Sequence, residues 1–349
     1  MSIKTFIDLP FLKSFIKREP AILPRSILGL TNQVNETSIW AEACKFIFNN
    51  SPMSISISDE DLLKINPNGI DDNNILVNAL ISEVFSGSDK YLRIKPPITL
   101  ETICNSSIPL FLFQDKLSVD FNCKDYGILK IKAKFLLEQW RLYGKMETIS
   151  IEKNNKSGLK KWEEIERLKH PLNSLIICDN YILSEERLLA NNLFPILKAL
   201  LPTKDINEKV NVMIIYSQES KAIIQNQVLS TKILADIIHK YIQQQLFLKN
   251  IEVCVIKANS LFYHDRRIFT NYFAFESGNT FNYFDSSGAG RIRTKLHIFP
   301  FIALNKDKSY LYSFLDDLSL IKDLIRKSNS NSATEIIGSP SNKLLNIVP

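Results

Sequence analysis

Ser174–Ile182 reads SLIICDNYI, and this stretch decides the fold. Its apolar core, Leu175–Cys178, has no polar alternation and is bounded by Asn173 and by Asp179-Asn180, the pattern of a strand buried on both faces. Two later runs repeat it: Val210–Tyr216 (VNVMIIY) and Ile251–Ile256 (IEVCVI). Between them lie two segments of helical period. Ser184–Leu201 places Leu188, Leu189, Leu193, Ile196, Leu197 and Leu200 on one face, and Thr231–Phe247 does the same with Ile233, Leu234, Ile237, Ile238, Tyr241 and Ile242. Strands alternating with helices of this length predict βαβ units, hence an α/β domain with a largely parallel sheet flanked by helices. Phe262–Phe275 is expected to add a fourth strand to that sheet.

Downstream, Ser309–Lys327 predicts a C-terminal helix built on Leu311, Phe314, Leu315, Leu318, Ile321 and Ile325. From Ser328 the composition turns to Ser, Asn and Pro, and residues 328–349 are expected to form a loose tail. Upstream, the charged interval Glu152–Trp162 marks the expected boundary between an N-terminal domain, 1–160, and a second domain, 161–308. The N-terminal half reads as α+β. MSIKTFIDLPFLKSFIKREP is expected to be a basic amphipathic helix docked on its own domain. Ser58 should cap a helix at Asp59–Ile65, Ile75–Phe85 and Phe135–Tyr143 have helical spacing, and Ile108–Phe113 and Gly127–Phe135 look like strands. The sequence of this half assigns it no chemistry.

Composition excludes several classes. The 349 residues are 45% hydrophobic and 23% charged, which fits a folded chain rather than a disordered one. No apolar run approaches the ~18–20 residues of a membrane helix. Five cysteines without CxxC spacing argue against a disulfide scaffold or zinc cluster and favour the cytoplasm. The net charge of +6 inclines weakly toward anionic partners.

The chemistry-bearing stretch is Phe262–Asn282, FYHDRRIFTNYFAFESGNTFN. In a strand, side chains two apart share a face, so His264 and Arg266 are expected to project together. A guanidinium grips two phosphate oxygens while a neighbouring imidazole serves as nucleophile or proton donor. Ser277–Asn279 is expected to form a Gly-centred turn that brings backbone N–H groups and the Asn279 amide to the same place. Farther on, Arg291, Arg293 and Lys295 alternate and would extend a basic face. Tyr272, Phe273, Phe275, Phe281 and Tyr283 suit a core better than a base-stacking platform. Asp265 and Glu276 with one histidine do not make a metal site, and no metal or cofactor is expected.

This stretch resembles the phospholipase D superfamily signature HxKxxxxDxxxxxxGSxN, over about residues 172–300. His264 falls on its His, Arg266 on its Lys, Asn271 on its Asp and Gly278 on its Gly; Asn279 and Phe281 replace its Ser and Asn, with Asn282 one residue away. The resemblance implies a phospholipase D-like domain in which His264 attacks phosphorus and Arg266 and Asn271 complete the catalytic set. Arg266, Arg267, Gly278, Asn279, Asn282, Arg291 and Arg293 would hold phosphate. A full site in that family needs two such motifs. His170, His239 and His297 have no Lys or Arg two residues later, so activity would require a homodimer. Three readings follow: a metal-independent nuclease or phosphodiesterase, an inactive module binding nucleic acid or anionic lipid, and a protein-interaction scaffold. Against all three stands a purely structural ion-pair cluster at His264, Asp265 and Arg266.

Overall fold

The computed structural model describes residues 4–16, 41–43, 46, 53–64, 91–103, 109–112, 119–153, 158–217, 223–224, 227–258, 266–285, 287–303, 308–328 and 334–348. The chain forms two compact units. One comprises Ser2–Cys123 with Ile128–Lys145, the other Lys124–Gly127 with Met146–Pro349. The sequence-predicted helix at Ile75–Phe85 lies outside the described residues.

The N-terminal unit holds strands β1 (Lys4–Asp8), β2 (Met53–Ser56), β3 (Tyr91–Ile94), β4 (Pro109–Leu112) and β5 (Leu129–Ile131). They form one parallel sheet in the order β3-β2-β1-β4-β5. This unit is therefore α/β, not the expected α+β. The amino-terminal segment explains the difference. Phe6 and Ile7 are fully buried on the central strand, and only from Leu9 does the chain turn into helix α1 (Leu9–Ile16). Asp8 makes the switch by accepting the Phe11 N–H at 2.7 Å. Helix α2 (Asp59–Lys64) starts where predicted, with the Ser58 hydroxyl accepting the Asp61 N–H at 2.9 Å. Two further helices follow, α3 (Leu100–Ile103) and α4 (Leu136–Tyr143).

The C-terminal unit is built on β6 (Glu147–Ile151), β7 (Ser174–Cys178), β8 (Val210–Ser217), β11 (Ile251–Ala258), β12 (Arg266–Thr270), β13 (Phe273–Ser277), β14 (Thr294–Pro300) and β15 (Glu335–Ile337). A separate ribbon pairs β9 (Ile223–Ile224) with β10 (Gln227–Val228). The eight-stranded sheet runs β15-β11-β8-β7-β12-β13-β14-β6. Strands β7, β8 and β11 are parallel, as their apolar runs predict, and β12 enters antiparallel to β7. Helix α5 (Glu186–Leu188, a π turn at Leu189–Leu193, then Phe194–Leu200) lies between β7 and β8 in sequence, and α6 (Thr231–Gln245) precedes β11. Helix α7 (Lys308–Ser328) contains the predicted C-terminal helix. No described helix is long and apolar enough to cross a membrane.

Three boundaries differ from the sequence reading. The second unit begins at Met146, because β6 pairs with β14 as an edge strand of its sheet. The charged interval that suggested a boundary instead returns onto β6, where the Leu159 N–H reaches the Ser150 carbonyl at 2.8 Å. Gly158 permits that approach, since its φ is +75° and an added Cβ would stand 1.9 Å from the Ser150 oxygen. Second, Phe262–Phe275 is not one strand, since β12 and β13 pair as a hairpin. Third, the carboxyl-terminal segment is no loose tail. Strand β15 pairs with β11, Leu344 and Leu345 are buried, and Asn342 donates to the carbonyls of Leu175 and Asn211.

Candidate functional site

Strands β7, β12 and β13 bring chemistry-bearing residues to one end of the sheet. Arg267 pairs with Cys178, the last residue of β7, so Arg266 comes next to Asp179, which follows it. Arg266 also pairs with Ser277, the last residue of β13, and Ser277 pairs with Leu296 of β14. Paired residues on neighbouring strands present their side chains to the same face. The half-buried Arg266 therefore shares a face with the buried Ser277.

Asp179 organises this end. Its side chain is buried, with one carboxylate oxygen accepting the Tyr181 N–H at 2.8 Å. The other accepts the Thr280 hydroxyl at 2.7 Å and the Phe281 N–H at 2.5 Å. Burial pushes the carboxyl above its ordinary value; the Tyr181, Thr280 and Phe281 donors and the charge of Arg266 pull in the opposite direction without cancelling the shift. Asn282 closes the same junction by donating to the Tyr181 carbonyl at 2.6 Å. The segments after β7 and β13 are thus fastened to each other.

Behind the junction sits an aromatic wall. Trp162 stacks on Tyr283 at 4.9 Å between ring centroids and meets Phe281 edge-on at 6.2 Å. The π turn in α5 inserts Asn192 into this wall. Asn192 accepts from the Trp162 indole N–H at 3.2 Å and the Phe284 N–H at 2.9 Å, and donates to the Phe284 carbonyl at 2.9 Å. Phe281 and Tyr283, like Tyr272, Phe273 and Phe275, are core residues with no ring face open to a base.

The structure brings Arg266, Gly278, Asn279 and Asn282 to this end. His264 lies outside the described residues. Asn271 stands at the opposite end of β12, in the hairpin turn. Its side-chain oxygen accepts the backbone N–H groups of Asn173 (3.0 Å) and Ser174 (3.1 Å), while its amide donates to the Asn173 side chain at 2.9 Å. These bonds tie the hairpin turn to the start of β7. Arg267 follows Arg266 on β12. It projects to the other face, where its buried guanidinium pairs with Asp317 of α7 at 2.8 Å and Glu276 at 3.1 Å, over the Phe314 ring.

Gly278 and Asn279 are exposed, and a Cβ added at Gly278 would meet nothing within 4 Å, so that turn does not depend on glycine. Arg291 and Arg293 are exposed ahead of β14, which starts only at Thr294, and Arg293 pairs with Glu152 at 3.3 Å. Sequence reasoning missed the roles of Asp179 and Thr280. The available signal was an acid placed directly after the most apolar strand run.

No family model matches the chain. No curated protein matches it. Among solved structures it is similar to the crystal structure of phosphatidylserine synthase from Haemophilus influenzae Rd KW20, with a TM-score of 0.32 and 13% sequence identity. The similarity covers 59% of this chain and spans 45% of the length of that one.

Proposed function

We propose that the C-terminal unit is a phospholipase D-like module that recognises the phosphate of a phosphodiester, with Arg266 as its principal anion ligand. The observation that carries the reading is the convergence of Arg266, Ser277 and the Asp179-fastened segment 279–282 on one sheet end. A guanidinium there offers a planar fork, and Asn279 and Thr280 lie on the adjoining segment. Nucleic acid and anionic lipid headgroups both present this chemistry. His264, two residues before Arg266, is the nucleophile in this reading, and a complete reactive site requires two copies of the chain, with no metal ion in the step.

Binding of labelled oligonucleotide and sedimentation with anionic vesicles separate the two ligand sources. Arg266→Ala should weaken the preferred ligand about tenfold or more, in line with the roughly 1.5–3 kcal/mol of a charge-assisted hydrogen bond. Arg293→Ala should change it by less than about threefold, because that side chain is solvated and ion-paired. Any cleavage should persist in EDTA, rise with dimer concentration and vanish in His264→Ala. Magnesium-dependent cleavage that survives His264→Ala would refute the assignment of chemistry to this unit.

A further inference from the structure

We propose, resting on that reading, that anion binding at Arg266 is coupled to proton uptake by Asp179, so that the site holds phosphodiesters more tightly as the pH falls. Asp179 is 2% exposed, and its charge is stabilised by the Tyr181, Thr280 and Phe281 donors and by Arg266 across the register. Among the described residues, the Tyr283 hydroxyl after β13 lies near enough to feel its charge, and the neighbouring Cys178 thiol lies with Arg267 on the opposite face; burial pushes both upward, so both are uncharged. On the β8 side its backbone N–H is taken by the Ile215 carbonyl. Arg267, Glu276 and Asp317 pair with one another on the opposite face.

An anion seated on Arg266 offsets the guanidinium charge and adds a like charge near the carboxylate. Both effects favour a proton on Asp179, drawn from solvent. The Thr280 hydroxyl can rotate to accept that proton, which lets the junction survive protonation. Linkage is reciprocal, so a proton on Asp179 raises anion affinity by the same factor.

The test is the pH dependence of binding to a labelled oligothymidylate, whose phosphodiesters keep a constant charge over the range used. Wild-type affinity should rise as the pH falls, with a limit of about tenfold per pH unit for one coupled proton. Asp179→Asn should bind with a reduced slope. His264→Gln should still bind more tightly as the pH falls, and adding Asp179→Asn to it should flatten the profile, which separates Asp179 from the imidazole. Calorimetry of His264→Gln in two buffers of different ionisation enthalpy gives a second readout that needs no change at Asp179. Positive proton uptake per bound strand is expected, and zero uptake overturns the coupling. A His264→Gln profile that is flat, or a slope in His264→Gln that survives the addition of Asp179→Asn, also overturns it while leaving phosphate recognition intact. Absence of binding at every pH defeats both.

Discussion

The Asp179 carboxylate accepts the Thr280 hydroxyl at 2.7 Å, joining the end of the first parallel strand of the C-terminal sheet to the segment that follows the β12–β13 hairpin. This contact sets where Asn279, Thr280 and Asn282 stand relative to Arg266. It divides the residues at this end of the sheet from those that maintain the fold elsewhere, and the two groups should respond differently to substitution.

Asn271 belongs to the second group. Asn271→Ala leaves two buried backbone N–H groups without their acceptor and should cost about 2–4 kcal/mol of unfolding free energy. Asn271→Asp, which restores the carboxylate of the signature it resembles, should also destabilise the protein, because the buried charge has lost the amide that served Asn173. Denaturant unfolding with a parallel cleavage assay checks both. Cleavage gained in Asn271→Asp would contradict the structural role.

Arg267 should likewise act on stability. Arg267→Met keeps volume over Phe314 but strands Glu276 and Asp317, with an expected loss of about 3–5 kcal/mol. Oligonucleotide affinity of the folded fraction should stay within about twofold of wild type, since the side chain faces away from Arg266. Thermal or chemical unfolding alongside binding measures the two effects separately.

His170 gives the fold a pH dependence of its own. Its Nδ1 donates to the Leu168 carbonyl at 2.9 Å, while its Nε2 is buried beside Tyr272 and Phe273 with no partner among the described residues. Desolvation lowers its pKa to about 4. The unfolded chain takes this proton near 6.5, so between about 6.5 and about 4 the unfolded state binds more protons and stability is lost as the pH is lowered. The full effect is about 3 kcal/mol. His170→Gln removes it, so the stability gap between wild type and variant should narrow by that amount on acidification from about pH 7 to about pH 4. Parallel curves would show that His170 does not titrate as described.

The parallel strands were legible because strands buried on both faces must be continuous apolar runs, as at Leu175–Cys178. The β12–β13 hairpin was not. Its turn, Asn271-Tyr272, contains neither Gly nor Pro; Thr270 and Asn271 fix it through side-chain hydrogen bonds that no periodicity reports. The carboxyl-terminal segment deceived in the same way, since Asn342 looks like linker composition yet serves backbone carbonyls of the sheet. At the site, Arg266 was visible through its spacing from His264, whereas Asp179 acts on Thr280 across 101 residues. Pairing of that kind is decided by the sheet order.

The most direct test of phosphate recognition is the salt slope of oligonucleotide binding in wild type and in Arg266→Ala. If the Arg266 guanidinium contacts a backbone phosphate, removing it releases one fewer counterion, and the slope of log affinity against log salt should fall in magnitude by about 0.7–0.9. Arg293→Ala measured beside it should leave the slope near the wild-type value. An unchanged slope and affinity in Arg266→Ala would contradict the central claim.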